Sequence, residues 1–115
     1  MYLIIDTNES RFALAGKEAL PESFEWYLVK TDQSLPRMVQ QAYTGEPQGI
    51  FLLQGKGGFS QTREGIVFAN LYSALKGVEL REIEEGDLTH PLSTWLLKPV
   101  VHSLKAEYYT EPNIS

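Results

Sequence analysis

An α/β domain built on one mixed sheet is the fold class that this sequence predicts, and three observations carry it. Two continuous apolar runs, Tyr2-Leu3-Ile4-Ile5 and Ile50-Phe51-Leu52-Leu53, have the length and composition of strands buried on both faces. Two segments with helical spacing and punctuation, around Leu35–Tyr43 and Ser60–Lys76, separate the later strand-like runs. The first three strand-like runs are joined by short connections instead. Antiparallel strands should therefore come first and parallel strands after them, five in all.

The elements follow in order. Tyr2–Ile5 ends at the turn-forming Asp6-Thr7-Asn8-Glu9-Ser10, so a central strand runs into a polar turn. Arg11–Gly16 and the aromatic Phe24–Val29 continue as a meander, with Pro21 in the loop between them. Leu35, Met38, Val39, Ala42 and Tyr43 then make one apolar stripe at helical spacing, with Ser34 to cap its start and Gly45 and Pro47 to stop it. Pro36 is tolerated in the first turn, where no intrahelical N–H bond is lost. The run 50–53 leads through Gly55-Lys56-Gly57-Gly58 into a second helix, closed by Gly77, and Val78–Ile83 alternates as a half-buried strand. Beyond Gly86, residues 92–97 suit a short helix, and Lys105–Tyr109 a strand or an ordered tail.

With 115 residues the chain suits one domain. Residues 1–86 are expected to form the body of that domain and 87–115 a C-terminal extension packing on it. Lys and Arg total 10 against 15 Asp and Glu, a net charge of −5, and no basic run interrupts this balance. Direct nucleic-acid binding and a polybasic membrane anchor are both disfavoured. The sequence has no cysteine, which removes disulfides, thiolate zinc sites and cysteine nucleophiles. No apolar run approaches the roughly 20 residues that cross a bilayer, and Met1–Asp6 does not resemble a signal peptide, so a cytoplasmic protein is expected.

The second helix carries more apolar residues than one buried stripe needs. Ile66, Val67, Phe68, Ala69, Leu71, Tyr72, Ala74 and Leu75 point in nearly every direction. The sheet covers one face, which leaves the other to the first helix, the C-terminal segment or another protein. Gly65 and Ala69, four apart, would allow close approach of a helix or a strand. The glycine-rich turn with Lys56 suits an anion at a helix N-terminus, but its spacing matches neither nucleotide-loop signature, and a tight turn accounts for the same glycines.

That turn carries a resemblance. Gly55-Lys56-Gly57-Gly58-Phe59-Ser60-Gln61-Thr62-Arg63-Glu64-Gly65 is similar to the G-P-G-S-F-T-G-L-R-I-G signature of the TsaB (YeaZ) family, bacterial partner subunits in tRNA threonylcarbamoyladenosine synthesis. Gly55, Gly57, Phe59, Arg63 and Gly65 match, Ser60 replaces a threonine, and Lys56, Gly58, Gln61, Thr62 and Glu64 depart from it. Ala69, Ala74, Leu75, Gly77 and Leu80 resemble the family's following helix and strand, and Leu3-Ile4-Ile5-Asp6-Thr7 its I-L-A-I-D-T start. The resemblance implies an actin-like lobe of ribonuclease-H topology, a single lobe where the family carries two. It also implies a non-catalytic subunit without a cofactor, paired through its first two helices with a TsaD-type protein and working with a TsaE-type ATPase. Arg63, Val67, Asn70, Leu71 and Ala74 become interface candidates, with Arg37 and Gln41 on the first helix. Self-association through the same apolar helix is the alternative.

Other chemistry is thinly represented. Asp6 stands where actin-like enzymes keep a metal-linked aspartate, yet no glycine follows within Thr7–Ser10, and a turn residue accepting backbone N–H bonds is the expected role. His90 and His102 fit no metalloprotease spacing. Glu82, Glu84, Glu85 and Asp87 read as a solvated strand end, Ser60 as a helix cap, and Trp26, Tyr27, Tyr108 and Tyr109 as packing aromatics.

Overall fold

The computed structural model describes residues 1–30, 34–54 and 59–101, with the backbone alone at 59–63. Strands β1 (Tyr2–Asp6), β2 (Arg11–Ala15), β3 (Tyr27–Leu28), β4 (Gly49–Leu53) and β5 (Glu79–Ile83) form one sheet in the order β3-β2-β1-β4-β5. β1 pairs antiparallel with β2 and parallel with β4, β2 pairs antiparallel with β3, and β4 pairs parallel with β5. Only β2 therefore runs against the other four strands. Helix α1 (Leu35–Ala42) joins β3 to β4, α2 (Phe59–Lys76) joins β4 to β5, and a short α3 (Leu92–Trp95) follows. The mixed five-stranded sheet is the one expected from the sequence, and it follows from connection length: short turns allow only antiparallel neighbours, and helical crossovers allow parallel ones.

The alternation of side chains across the sheet divides the core in two. Leu3, Ile5, Phe12, Ile50, Leu52 and Leu80 face α1 and α2 and pack with Leu35, Val39, Ile66 and Ala69. Ile4, Ala15, Phe51, Leu53 and Ile83 face the other way, against Leu92 and Trp95. Both faces of β1 and β4 are thus covered, which is why those strands read as unbroken apolar runs. Trp95 is 0% exposed, meets Phe51 and Phe24 edge to face, and donates its Nε1–H to the Asp87 carbonyl at 2.8 Å.

Several boundaries differ from the sequence reading. β3 is two residues long instead of six: Phe24 packs on Trp95 and Trp26 on Phe24 in the cluster of the second face, and only Tyr27 and Leu28 pair with β2. Pro21–Ser23 forms a 3-10 turn ahead of it. α1 stops at Ala42, where Tyr43 takes an extended conformation and donates its N–H to the Val39 carbonyl. α2 starts at Phe59, so Ser60 stands within its first turn and not at the expected cap position. β5 starts at Glu79 and is buried at both Leu80 and Arg81, since Lys98–Val101 crosses it: Arg81 Nε donates to the Lys98 carbonyl at 2.9 Å and Val101 bridges Leu80. The glycine-rich turn and the segment 105–109 lie outside the described residues.

Trp95→Ala is expected to cost about 3–5 kcal/mol, as a large buried aromatic whose space cannot collapse. Urea unfolding followed by circular dichroism measures it. Trp95→Phe should recover much of the loss and leave a deficit for the missing Nε1–H bond to Asp87.

Candidate functional site

The carboxyl ends of β1 and β4 are closed by a turn that uses its polar groups internally. Asp6 is 1% exposed, and its Oδ1 accepts the backbone N–H groups of Asn8 at 3.0 Å and Glu9 at 3.2 Å. Its Oδ2 accepts from Arg11 Nε at 2.9 Å, and the Arg11 guanidinium stacks 3.9 Å from the centre of the Trp26 ring. The Asp6 carboxylate thus orders the β1–β2 turn, in which Ser10 adopts a positive φ of 51°. Thr7 ties the same turn to β4 by donating its hydroxyl and its backbone N–H to the Leu53 carbonyl at 2.8 and 3.0 Å. Nearby, Ile5, Ser10, Val29, Leu35 and Gly65 border a space of about 30 Å³, room for a water and little more.

The acidic segment after β5 is likewise spent on structure. Glu82 accepts from Gln54 Nε2 at 3.0 Å and Glu85 from Asn8 Nδ2 at 3.0 Å. Asp87 accepts the Glu84 N–H at 2.7 Å and pairs with Lys98 Nζ at 2.9 Å. These carboxylates do more than face solvent: Asp87 closes the start of the 3-10 turn Glu85–Thr89, and Glu85 ties that turn to the β1–β2 turn through Asn8. No group of three or more His, Asp or Glu side chains suited to a metal ion occurs among the described residues, and His90 is exposed. Trp26 and Tyr27 act as packing aromatics, Tyr27 stacking on Phe12 with ring centres 5.1 Å apart. Tyr108, Tyr109 and His102 fall outside the described residues, and no described helix is long and apolar enough to cross a membrane.

Helix α2 is where packing leaves something over. A Cβ on Gly65 would stand 2.6 Å from Thr7 Cγ2 and 3.4 Å from Ile5 Cγ2, so the helix backbone rests on the end of β1 at a distance only glycine permits. Ala69, fully buried, continues the contact one turn later. The small residues therefore serve a close helix-to-strand approach. With that face fixed, Ile66 points into the core, Phe68 and Tyr72 turn toward α1, and Val67, Leu71 and Leu75 turn outward at 49%, 55% and 78% exposure. Glu64 is partly committed elsewhere: its Oε1 accepts the Leu35 N–H at 2.9 Å and completes the cap that Ser34 begins on α1.

Of the interface candidates, Val67, Leu71 and Ala74 share the outer face of α2, and Arg37 and Gln41 are exposed on α1. Asn70 is half-buried on the flank of α2, and the Arg63 side chain lies outside the described ones. Among the resemblance-bearing residues, Gly65 has the packing role above. Phe59 and Ser60 open α2, with side chains outside the described ones, and Gly55 and Gly57 lie outside the described residues. The candidate set omits Leu75, the most exposed large apolar residue of α2, although its spacing of four and eight from Leu71 and Val67 marks it.

A groove of about 350 Å³ lies between the C-terminal halves of α1 and α2, bordered by Tyr43, Glu46, Phe68, Tyr72 and Lys76. Lys76 Nζ pairs with Glu46 Oε1 at 3.4 Å across its mouth. Burial raises the Tyr72 phenol above its usual 10.0, the Glu46 carboxylate adds to the rise, and Lys76 opposes it.

Gly65→Ala is expected to destabilise by about 1–3 kcal/mol, although the same change inside an exposed helix gains up to about 1 kcal/mol. Thr7→Ser removes the clashing methyl, so in a double-mutant cycle the Gly65→Ala penalty should shrink in that background. For Tyr72, a folded-state value above the unfolded one means stabilisation complete below about pH 10 and lost as pH rises through the folded value. Denaturant midpoints between about pH 9 and 11 should fall more steeply for the wild type than for Tyr72→Phe.

Comparison of the chain with protein-family models, with curated proteins and with solved structures found no match.

Proposed function

We propose that this chain is a single actin-like lobe of ribonuclease-H topology that acts as a non-catalytic, TsaB-like subunit. It binds a TsaD-type protein in the cytoplasm through α2, with α1 beside it, and so supports threonylcarbamoyladenosine modification of tRNA. The observation that carries this reading is the outward stripe Val67–Leu71–Leu75 on a helix whose opposite face is seated on the sheet. An apolar stripe of that kind is what a helix-pairing surface requires. Further support comes from the strand order β3-β2-β1-β4-β5 with β2 alone reversed, and from the resemblance through Gly65, the residue that sets the depth of α2. The non-catalytic role accords with an Asp6 carboxylate engaged by two backbone N–H groups and Arg11.

In this reading the lobe contributes shape and apolar surface, while the partner supplies the chemistry. Arg37 and Gln41 extend the contact along α1, and a TsaE-type ATPase joins the assembled pair. Titration calorimetry of the purified chain against the TsaD-type protein of the same host tests it. A stable complex is expected, and Leu71→Asp should weaken it at least tenfold, equivalent to about 1.4 kcal/mol. An unaltered complex removes the assigned face, and no complex removes the reading. Equilibrium sedimentation covers the alternative, since a tight homodimer that the TsaD-type protein does not dissociate assigns the stripe to self-association.

A further inference from the structure

We propose that the groove between α1 and α2 binds a free α-amino acid with a large apolar side chain. Glu46 would hold its ammonium group, Lys76 its carboxylate, and Tyr43, Phe68 and Tyr72 its side chain. Size and shape are the first reason. At about 350 Å³ the groove falls in the range that encloses small ligands. Its wall on α2 is a ridge in which Phe68, Tyr72 and Lys76 stand four residues apart, with the two ring centres 5.6 Å from each other. The connection 43–47 faces that ridge. Tyr43 packs in neither core cluster, and its ring lies over Gly45, where a Cβ would stand 2.7 Å from the ring Cζ and from the hydroxyl oxygen. The absence of a side chain at Gly45 is what lets this ring line the wall.

Charge is the second reason. Glu46 and Lys76 place one carboxylate and one ammonium group at the mouth, 3.4 Å apart, with side chains 64% and 49% exposed. So open a pair contributes little to the fold. A ligand that carries both charges can replace it by two charge-assisted bonds and leave neither ion unmatched. Besides burial, Glu46 raises the Tyr72 phenol and Lys76 lowers it, so both charges face the space that this ring borders. Among the described residues no hydrogen bond engages the Tyr43 or Tyr72 hydroxyl, and each is available to donate to the ligand carboxylate. The groove is separate from the outward stripe Val67–Leu71–Leu75, so the proposal does not rest on the proposed function.

Titration of the isotope-labelled full chain with L-phenylalanine tests it. Amide signals of residues 43–46 and of Phe68, Tyr72 and Lys76 should shift together and saturate. Phenethylamine lacks the carboxylate and hydrocinnamate the ammonium group, and each should bind at least tenfold more weakly. Glycine, without the apolar side chain, should give no saturable shift. Lys76→Met should abolish the preference over phenethylamine, and Glu46→Gln the preference over hydrocinnamate, with thermal unfolding nearly unchanged in both because the groups are exposed. Gly45→Ala, which pushes the Tyr43 ring aside, should weaken L-phenylalanine severalfold. No saturable shift up to about 10 mM overturns the proposal. So do equal affinities for the phenyl compounds, which leave only an apolar cleft, and shifts that gather on Val67, Leu71 and Leu75 instead of the groove.

Discussion

The contact between Gly65 and Thr7 governs much of this molecule. Thr7 cannot move aside, because its hydroxyl and its N–H both bond the Leu53 carbonyl at the end of β4. The strand ends therefore present a fixed methyl, and α2 can come to rest only where it has no side chain of its own. That single approach sets the height of the helix over the sheet and, through the helical period, its rotation. Ile66 and Ala69 fall into the core as a result, Phe68 and Tyr72 meet α1, and Val67, Leu71 and Leu75 are left outside. Two unrelated-looking features, a buried glycine and an exposed leucine stripe, are consequences of one constraint.

The same end of the sheet joins the turns into one polar framework. Asp6 holds the β1–β2 turn, Asn8 passes from that turn to Glu85, and Gln54 reaches Glu82. Glu64 extends from α2 to the first N–H of α1 and couples the two helices at their facing ends. Each of these carboxylates has a structural partner. The polar side chains at this end of the sheet are thus tied to neighbouring turns and helices, while α2 leaves Val67, Leu71 and Leu75 exposed.

The opposite face gives the small domain its second core. Phe24, Phe51 and Trp95 meet edge to face, and Trp95 satisfies its only donor on the Asp87 carbonyl. β3 is short where this packing begins, since Phe24 is committed to Trp95 and Trp26 to Phe24 and Arg11, which leaves Tyr27 and Leu28 to pair with β2. The same packing also fixes where the chain leaves α3, and so delivers Val101 across β5 to the side of α2.

Much of the architecture was legible in the residues alone. Unbroken apolar runs at 2–5 and 50–53 are readable because they report burial on two faces, and the turn-then-crossover order dictates a mixed sheet from connection length alone. The capping of α1 by Ser34 and the closure of α2 at Gly77, with its φ of 70°, are local events written in local sequence. The excess of apolar residues on α2 was equally visible, but not which of them remain outside: rotation of a helix about its axis is settled by what it packs against, and Leu75 was accordingly overlooked. The shortening of β3, the cap that Glu64 lends to α1 and the separate partners of Glu82, Glu85 and Asp87 each join residues distant along the chain. Sequence determined the elements and their order, since hydrophobic period and turn chemistry act over a few residues. Tertiary structure decided their facing and the surface left open, because those depend on contacts that exist only once distant segments have met.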